Sequence, residues 1–150
     1  MENNDDSASG ADKGPLKNVV FVDPCVVTGH LGSANGTNTV FYYTSTCADA
    51  IRAMVELGSA LDGVVATTFV PQGGWDMERC YEFPGLELLE QFGGQVRTLL
   101  WTHAAGVFDD EISSAADTSG VRYFDVKKDG GPGSVLQSLD KALFEEKEVA

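Results

Sequence analysis

Two stretches decide how this chain folds: Val96 to Trp101, reading VRTLLW, and Val121 to Val126, reading VRYFDV. Both are short, β-branched and aromatic runs of the kind that make strands. The first stops at Thr102-His103 and the second at Lys127-Lys128. A segment with helical periodicity follows each, and strands alternating with helices imply a parallel sheet with right-handed crossovers. In such a sheet the residues just past the carboxyl ends of the strands line the functional crevice. Thr102 and Lys127 are therefore the first candidates for a site.

Working outward, Asn18 to Val22 reads as a buried strand ended by Asp23-Pro24, and Thr39 to Thr44, TVFYYT, as a second strand. Between them lies a Gly-rich stretch, Cys25 to Asn38, too short for a full helix. Ser45 or Thr46 is placed to N-cap a helix over Ala48–Leu61, with Ala50, Ile51, Met54, Val55, Gly58 and Leu61 on one face. Asp62-Gly63 reads as its breaker and Val64 to Val70 as the third strand. An irregular stretch, Trp75 to Phe83, precedes a short helix opened by Pro84-Gly85. Further helices are expected from about Asp109 to Asp117 and along the stripe Val135, Leu136, Leu139, Leu143, Phe144. The sum is an α/β, doubly wound, five-stranded sheet of flavodoxin-like type in the order 2-1-3-4-5.

A chain of 150 residues fits one domain. Met1 to Leu16 is polar and expected to be a disordered arm, with the domain over 17–145 and a tail over 146–150. No apolar run approaches the ~20 residues of a membrane span and no apolar leader is present, which predicts a cytoplasmic protein. The net charge of −13, from 23 acidic and 10 basic residues, argues against nucleic-acid binding. Cys25, Cys47 and Cys80 read as reduced thiols, and no metal site or cofactor is expected.

From Val64 onward the chain resembles the receiver domain, the CheY-like module of response regulators. The resemblance rests on Pro71 with Gly85-Leu-Glu-Leu-Leu-Glu90, on Leu99-Leu-Trp-Thr-His-Ala104, and on Gly120-Val-Arg-Tyr-Phe-Asp-Val-Lys-Lys-Asp129. It implies an acidic pair after strand 1 for Mg²⁺, a phosphoacceptor Asp after strand 3, a hydroxyl after strand 4, and an aromatic and a Lys on strand 5. Thr102 matches the hydroxyl and Lys127 the lysine, with Lys128 the register alternative. Tyr123 or Phe124 matches the aromatic. Asp23 matches one acid of the pair, but its neighbour is Pro24. The acceptor position falls on Thr67, or Thr68 one register over, and neither has a carboxylate.

A neutral hydroxyl neither binds a hard divalent ion nor accepts a phosphoryl group readily. The expectation is thus a degenerate pseudo-receiver, not an enzyme, that signals by binding a protein. Trp75, Tyr81 and Phe83 are residue types that anchor interfaces. The loop that carries them is a second candidate beside the face from about Asp109 to Phe144, which the resemblance implies for a partner or for self-association. Two alternatives stand beside this: an atypical phosphoreceiver using Asp23 or Asp76, and an enzyme built on Cys47 at a strand-to-helix junction with His30 or His103 as base.

Overall fold

Strand β1, Lys17–Val22, lies inside a parallel sheet, and its last four residues are sealed from solvent. The computed structural model describes residues 16–24, 37–92, 95–102, 109–130 and 133–144, all with side chains except Lys127 and Lys128. Leu16 is exposed; the rest of the expected arm, and Cys25, His30 and His103, lie outside the described residues. After β1 come β2 (Thr39–Thr44), α1 (Cys47–Leu57), a 3₁₀ turn (Gly58–Ala60), β3 (Leu61–Ala66), α2 (Pro84–Phe92) and β4 (Arg97–Thr102). The chain continues with α3 (Asp109–Ser119), β5 (Arg122–Asp125), a one-turn α4 (Val126–Asp129) and α5 (Val135–Phe144). The five strands are parallel and ordered β2-β1-β3-β4-β5, the doubly wound order expected.

The sheet separates two apolar layers. On one side Val20, Val22, Val64, Ala66 and Leu100 meet Cys47, Ala50 and Met54 of α1, Leu88 and Leu89 of α2, and Ile112 and Ala116 of α3. On the other, Val19, Phe21, Val65, Leu99, Trp101 and Phe124 meet Leu136, Leu139, Ala142 and Leu143 of α5. Strand side chains alternate between faces, so central strands buried on both sides read as near-continuous apolar runs.

Several boundaries differ from the sequence reading. Thr46, not Ser45, caps α1: its hydroxyl accepts from the Asp49 N–H at 3.0 Å. The helix ends at Leu57 because Gly58 takes φ 55°, and Val55, expected on the buried face, is 73% exposed. β3 begins at Leu61, three residues before the expected start, and stops at Ala66, four before the expected end. Asp62 belongs to the strand, accepting from the Asn18 N–H at 2.8 Å. Gly63 is not a breaker; a Cβ there would stand 2.8 Å from Leu143 Cδ2 and 3.3 Å from the Arg97 carbonyl. Its lack of a side chain lets α5 lie close to the centre of the sheet.

β3 ends early because the backbone beyond it is committed to α2. The Gly85 N–H donates to the Thr68 carbonyl at 2.8 Å, and a Cβ on Gly85 would fall 1.7 Å from the Thr67 carbonyl oxygen. β5 is likewise shorter than expected, since Val126 already opens α4.

Candidate functional site

The carboxyl ends of the strands form a row. The Asp23 N–H donates to the Thr44 carbonyl at 3.0 Å, and the Thr67 N–H donates to the Val22 carbonyl at 3.1 Å. Since Val22 pairs with Ala66, Asp23 and Thr67 are the first residues past two adjacent strand ends. Thr67 thus stands where the acceptor position was expected. Its Oγ1 is buried with no hydrogen-bond partner, whereas Thr68 is buried and its carbonyl is spent on Gly85. Pro24 is exposed in a turn.

The other half of the row is formed by the ends of β4 and β5. Thr102 pairs in register with Asp125, not with a lysine. Lys127 sits inside α4, two residues beyond the strand end, so β5 does not deliver it directly into the row. Its side chain and that of Lys128 lie outside the described residues. The residue that the sequence reading passed over is Asp125, which is only 4% exposed at the strand end. Its N–H donates to the Asp129 carboxylate at 3.0 Å. An acid between Phe124 and Val126 in a strand pattern was the available signal, because charges are rarely buried in such runs without a purpose.

Strand alternation sends the two aromatics to opposite sides of the sheet. Phe124 points into the α5 layer. Tyr123 points to the other side, where its hydroxyl donates to Asp109 Oδ1 at 2.9 Å, and it shares a hydrogen bond with Thr102. Burial raises the phenol pKa above its ordinary value, reinforced by the Asp109 hydrogen bond and the nearby charges of Asp109 and Asp125; the contact with Thr102 pulls the opposite way. Tyr123 is thus a neutral donor linking β4, β5 and the start of α3.

The loop between β3 and α2 folds on itself. Gln72 Nε2 donates to the carbonyls of Trp75, Asp76 and Arg79 at 2.9, 3.2 and 3.2 Å. Trp75 and Tyr81 stack with centroids 5.5 Å apart, and the Tyr81 hydroxyl donates to the Asp76 carboxylate. Trp75 and Phe83 also pack on the core. The large apolar residues most exposed in this region are Phe69, 54% exposed and edge-on to Phe83, and Met77, 66% exposed, neither of which the sequence singled out.

Cys47 is fully buried in the α1 layer, and burial pushes its thiol up to about 11. A nucleophile needs the thiolate, so this position is unsuited to cysteine catalysis at neutral pH. Among the described residues no group of three or more His, Cys, Asp or Glu is placed to hold a metal ion, and no helix is long and apolar enough to cross a membrane.

The architecture has solved counterparts. A response regulator receiver domain protein from Clostridium thermocellum is 16% identical, with a TM-score of 0.55 over 85% of this chain and 91% of that one. The BeF3-activated N-terminal receiver domain of Klebsiella pneumoniae RstA gives 16% identity and a TM-score of 0.59, covering 87% of this chain and all of that one. The chain has the receiver-domain fold. A signal receiver domain of an HD domain-containing protein from Pseudomonas fluorescens Pf-5 is similar too, at 14% identity and a TM-score of 0.54 over 76% and 78% of the two chains. No protein-family model and no curated protein matches this receiver-like chain.

Proposed function

We propose that this receiver-like domain is a pseudo-receiver, a signalling module that works by binding a protein and does not depend on phosphorylation. The observation that carries the reading is Thr67 at the first position past β3, beside Asp23 and hydrogen-bonded to the end of β1. A carboxylate there would be the phosphoryl acceptor; a hydroxyl with a buried, unpartnered Oγ1 is not one. Pro24 removes the second acid that a hard divalent ion wants.

The surface that supports partner binding lies along α3 and β5. A groove of about 640 Å³ runs there, lined by Asp110, Ser113, Ser114, Asp117, Arg122 and Tyr123 among others. Helix α3 carries Asp109, Asp110, Glu111 and Asp117 and no basic residue. Like charges meeting across a twofold disfavour self-association through this face, so it suits a different protein. Phe69 and Met77 offer an apolar anchor on the neighbouring loop region.

The test is incubation of the full chain with a small acyl-phosphate donor and Mg²⁺, read by intact mass. An unchanged mass, with unchanged mass for Asp23→Asn, is the expected result. A gain of one phosphoryl group that Asp23→Asn or Asp76→Asn abolishes would replace this reading with an atypical phosphoreceiver.

A further inference from the structure

The far edge of the sheet carries a feature that the strand-end site does not use. Strand β2 holds unbroken register with β1, from Lys17 opposite Thr39 to Val22 opposite Thr44. On its other side the sheet ends, among the described residues. The Asn38 and Thr44 carbonyls accept from the Lys17 and Asp23 N–H groups, so the even-numbered residues face β1, and the N–H and C=O groups of Phe41 and Tyr43 turn outward, with no hydrogen-bond partner among the described residues. Tyr42 and Tyr43 are 38% and 40% exposed.

Proteins guard such edges with charged residues, proline, bulges or very short strands. β2 has none of these. Its six residues, TVFYYT, contain no charge and no proline, and its ladder has no bulge. An unguarded edge of ordinary strand length is a template for another strand.

We propose that β2 pairs antiparallel with β2 of a second copy of this chain, joining the two sheets across a twofold axis. A twofold perpendicular to the sheet sets one residue opposite itself and keeps facing residues on the same side. With Tyr42 on the axis, Tyr42 faces Tyr42, Phe41 faces Tyr43, and Val40 faces Thr44. Every pair is aromatic or β-branched, the combinations that stabilise neighbouring strands, and no like charges oppose. Phe41 and Tyr43 lie on the side of Phe21, whose ring is 5.5 Å from both Tyr43 and Trp101. The second copy therefore extends an aromatic row already running across the sheet. A strand of another protein would need no such self-matching, and the self-matching is what selects a second copy as the occupant. Each chain brings a net charge of −13, so association strengthens as salt screens the repulsion.

Sedimentation velocity on the full chain, over rising concentration at low and high salt, tests this. The expected result is a species of twice the 16.0 kDa chain mass, favoured by concentration and by salt. Tyr42→Lys, which adds the charge that guarded edges carry, is expected to weaken association about tenfold or more while circular dichroism stays unchanged. Because residues facing across an antiparallel pair lie within disulfide reach, Tyr42→Cys is expected to link two copies through position 42 under mild oxidation, read by peptide mapping. A chain that stays monomeric at every concentration and salt overturns the proposal. So does a dimer that Tyr42→Lys leaves intact, or one in which position 42 never cross-links. None of these results touches the reading of the α3 face, which is probed by charge substitutions in α3.

Discussion

The hydroxyl of Tyr123 donates to the carboxylate of Asp109 across 2.9 Å, tying the sheet's last strand to the first turn of α3. The same ring reaches Thr102, so three elements that flank the strand-end row share one phenol. Tyr123→Phe is expected to lower stability by about 1–2 kcal/mol, the usual effect of losing a bond to a charged acceptor in a half-buried place. Urea denaturation measures it; an unchanged midpoint would mean that the bond contributes nothing.

The same phenol sets an alkaline limit. Its pKa lies above the ordinary 10.0 in the folded chain, so between the unfolded and folded values the unfolded chain binds fewer protons. Stability from this group is whole below about pH 10 and declines as pH rises past it. Tyr123→Phe should flatten that decline, and denaturation midpoints collected across alkaline pH would reveal whether it does.

Cys47 should resist alkylation. Its thiol is pushed to about 11 against an ordinary 9.0, and it is sealed between α1 and the sheet. At pH 8, iodoacetamide is expected to label the exposed Cys80 much faster than Cys47. Equal labelling rates, read by peptide mapping, would revive a reactive role for Cys47.

Thr67 offers a test with the opposite sign. Its Oγ1 is buried without a partner, and an unmet polar group costs about 1–3 kcal/mol. Thr67→Val, similar in shape, should therefore raise stability by about 1 kcal/mol. A drop in the denaturation midpoint would indicate that the hydroxyl is satisfied in solution.

Gly85→Ala should be severe. The added methyl would collide with the backbone carbonyl of Thr67, which has no freedom to swing aside as a side chain would. A loss of about 3 kcal/mol or more is expected, at the upper end for one substitution. Thermal unfolding would show it, and a wild-type melting temperature would contradict the close approach of α2 to the end of β3.

Much of the fold was legible because strand and helix periods differ. TVFYYT, VRTLLW and the stripe from Val135 to Phe144 each fit one period, and all appear as elements with nearly the expected bounds. β3 was misplaced because Asp62-Gly63 looks like a turn. The approach of Leu143 from the far end of the chain, with the Arg97 carbonyl of the neighbouring strand, explains the glycine. The places of Thr67, one past β3, and Thr102, last in β4, follow from strand ends that the strand pattern indicates. At the end of β5, one turn of α4 closes the strand early, puts Lys127 within that turn and leaves Asp125 opposite Thr102. Nor did the aromatic count of the inserted loop reveal that Trp75 and Tyr81 would stack on each other, leaving Phe69 and Met77 outward.

Val19, Phe21, Val65, Leu99 and Trp101 share a layer whose described helical cover is α5 alone. These residues leave the ribosome well before Leu136, Leu139 and Leu143, so among the described residues the face gains its helical cover only when the final helix emerges. The domain is therefore committed to closing late, as one cooperative unit. A chain stalled before residue 135 would lack the contacts that Leu136, Leu139, Ala142 and Leu143 make with that face.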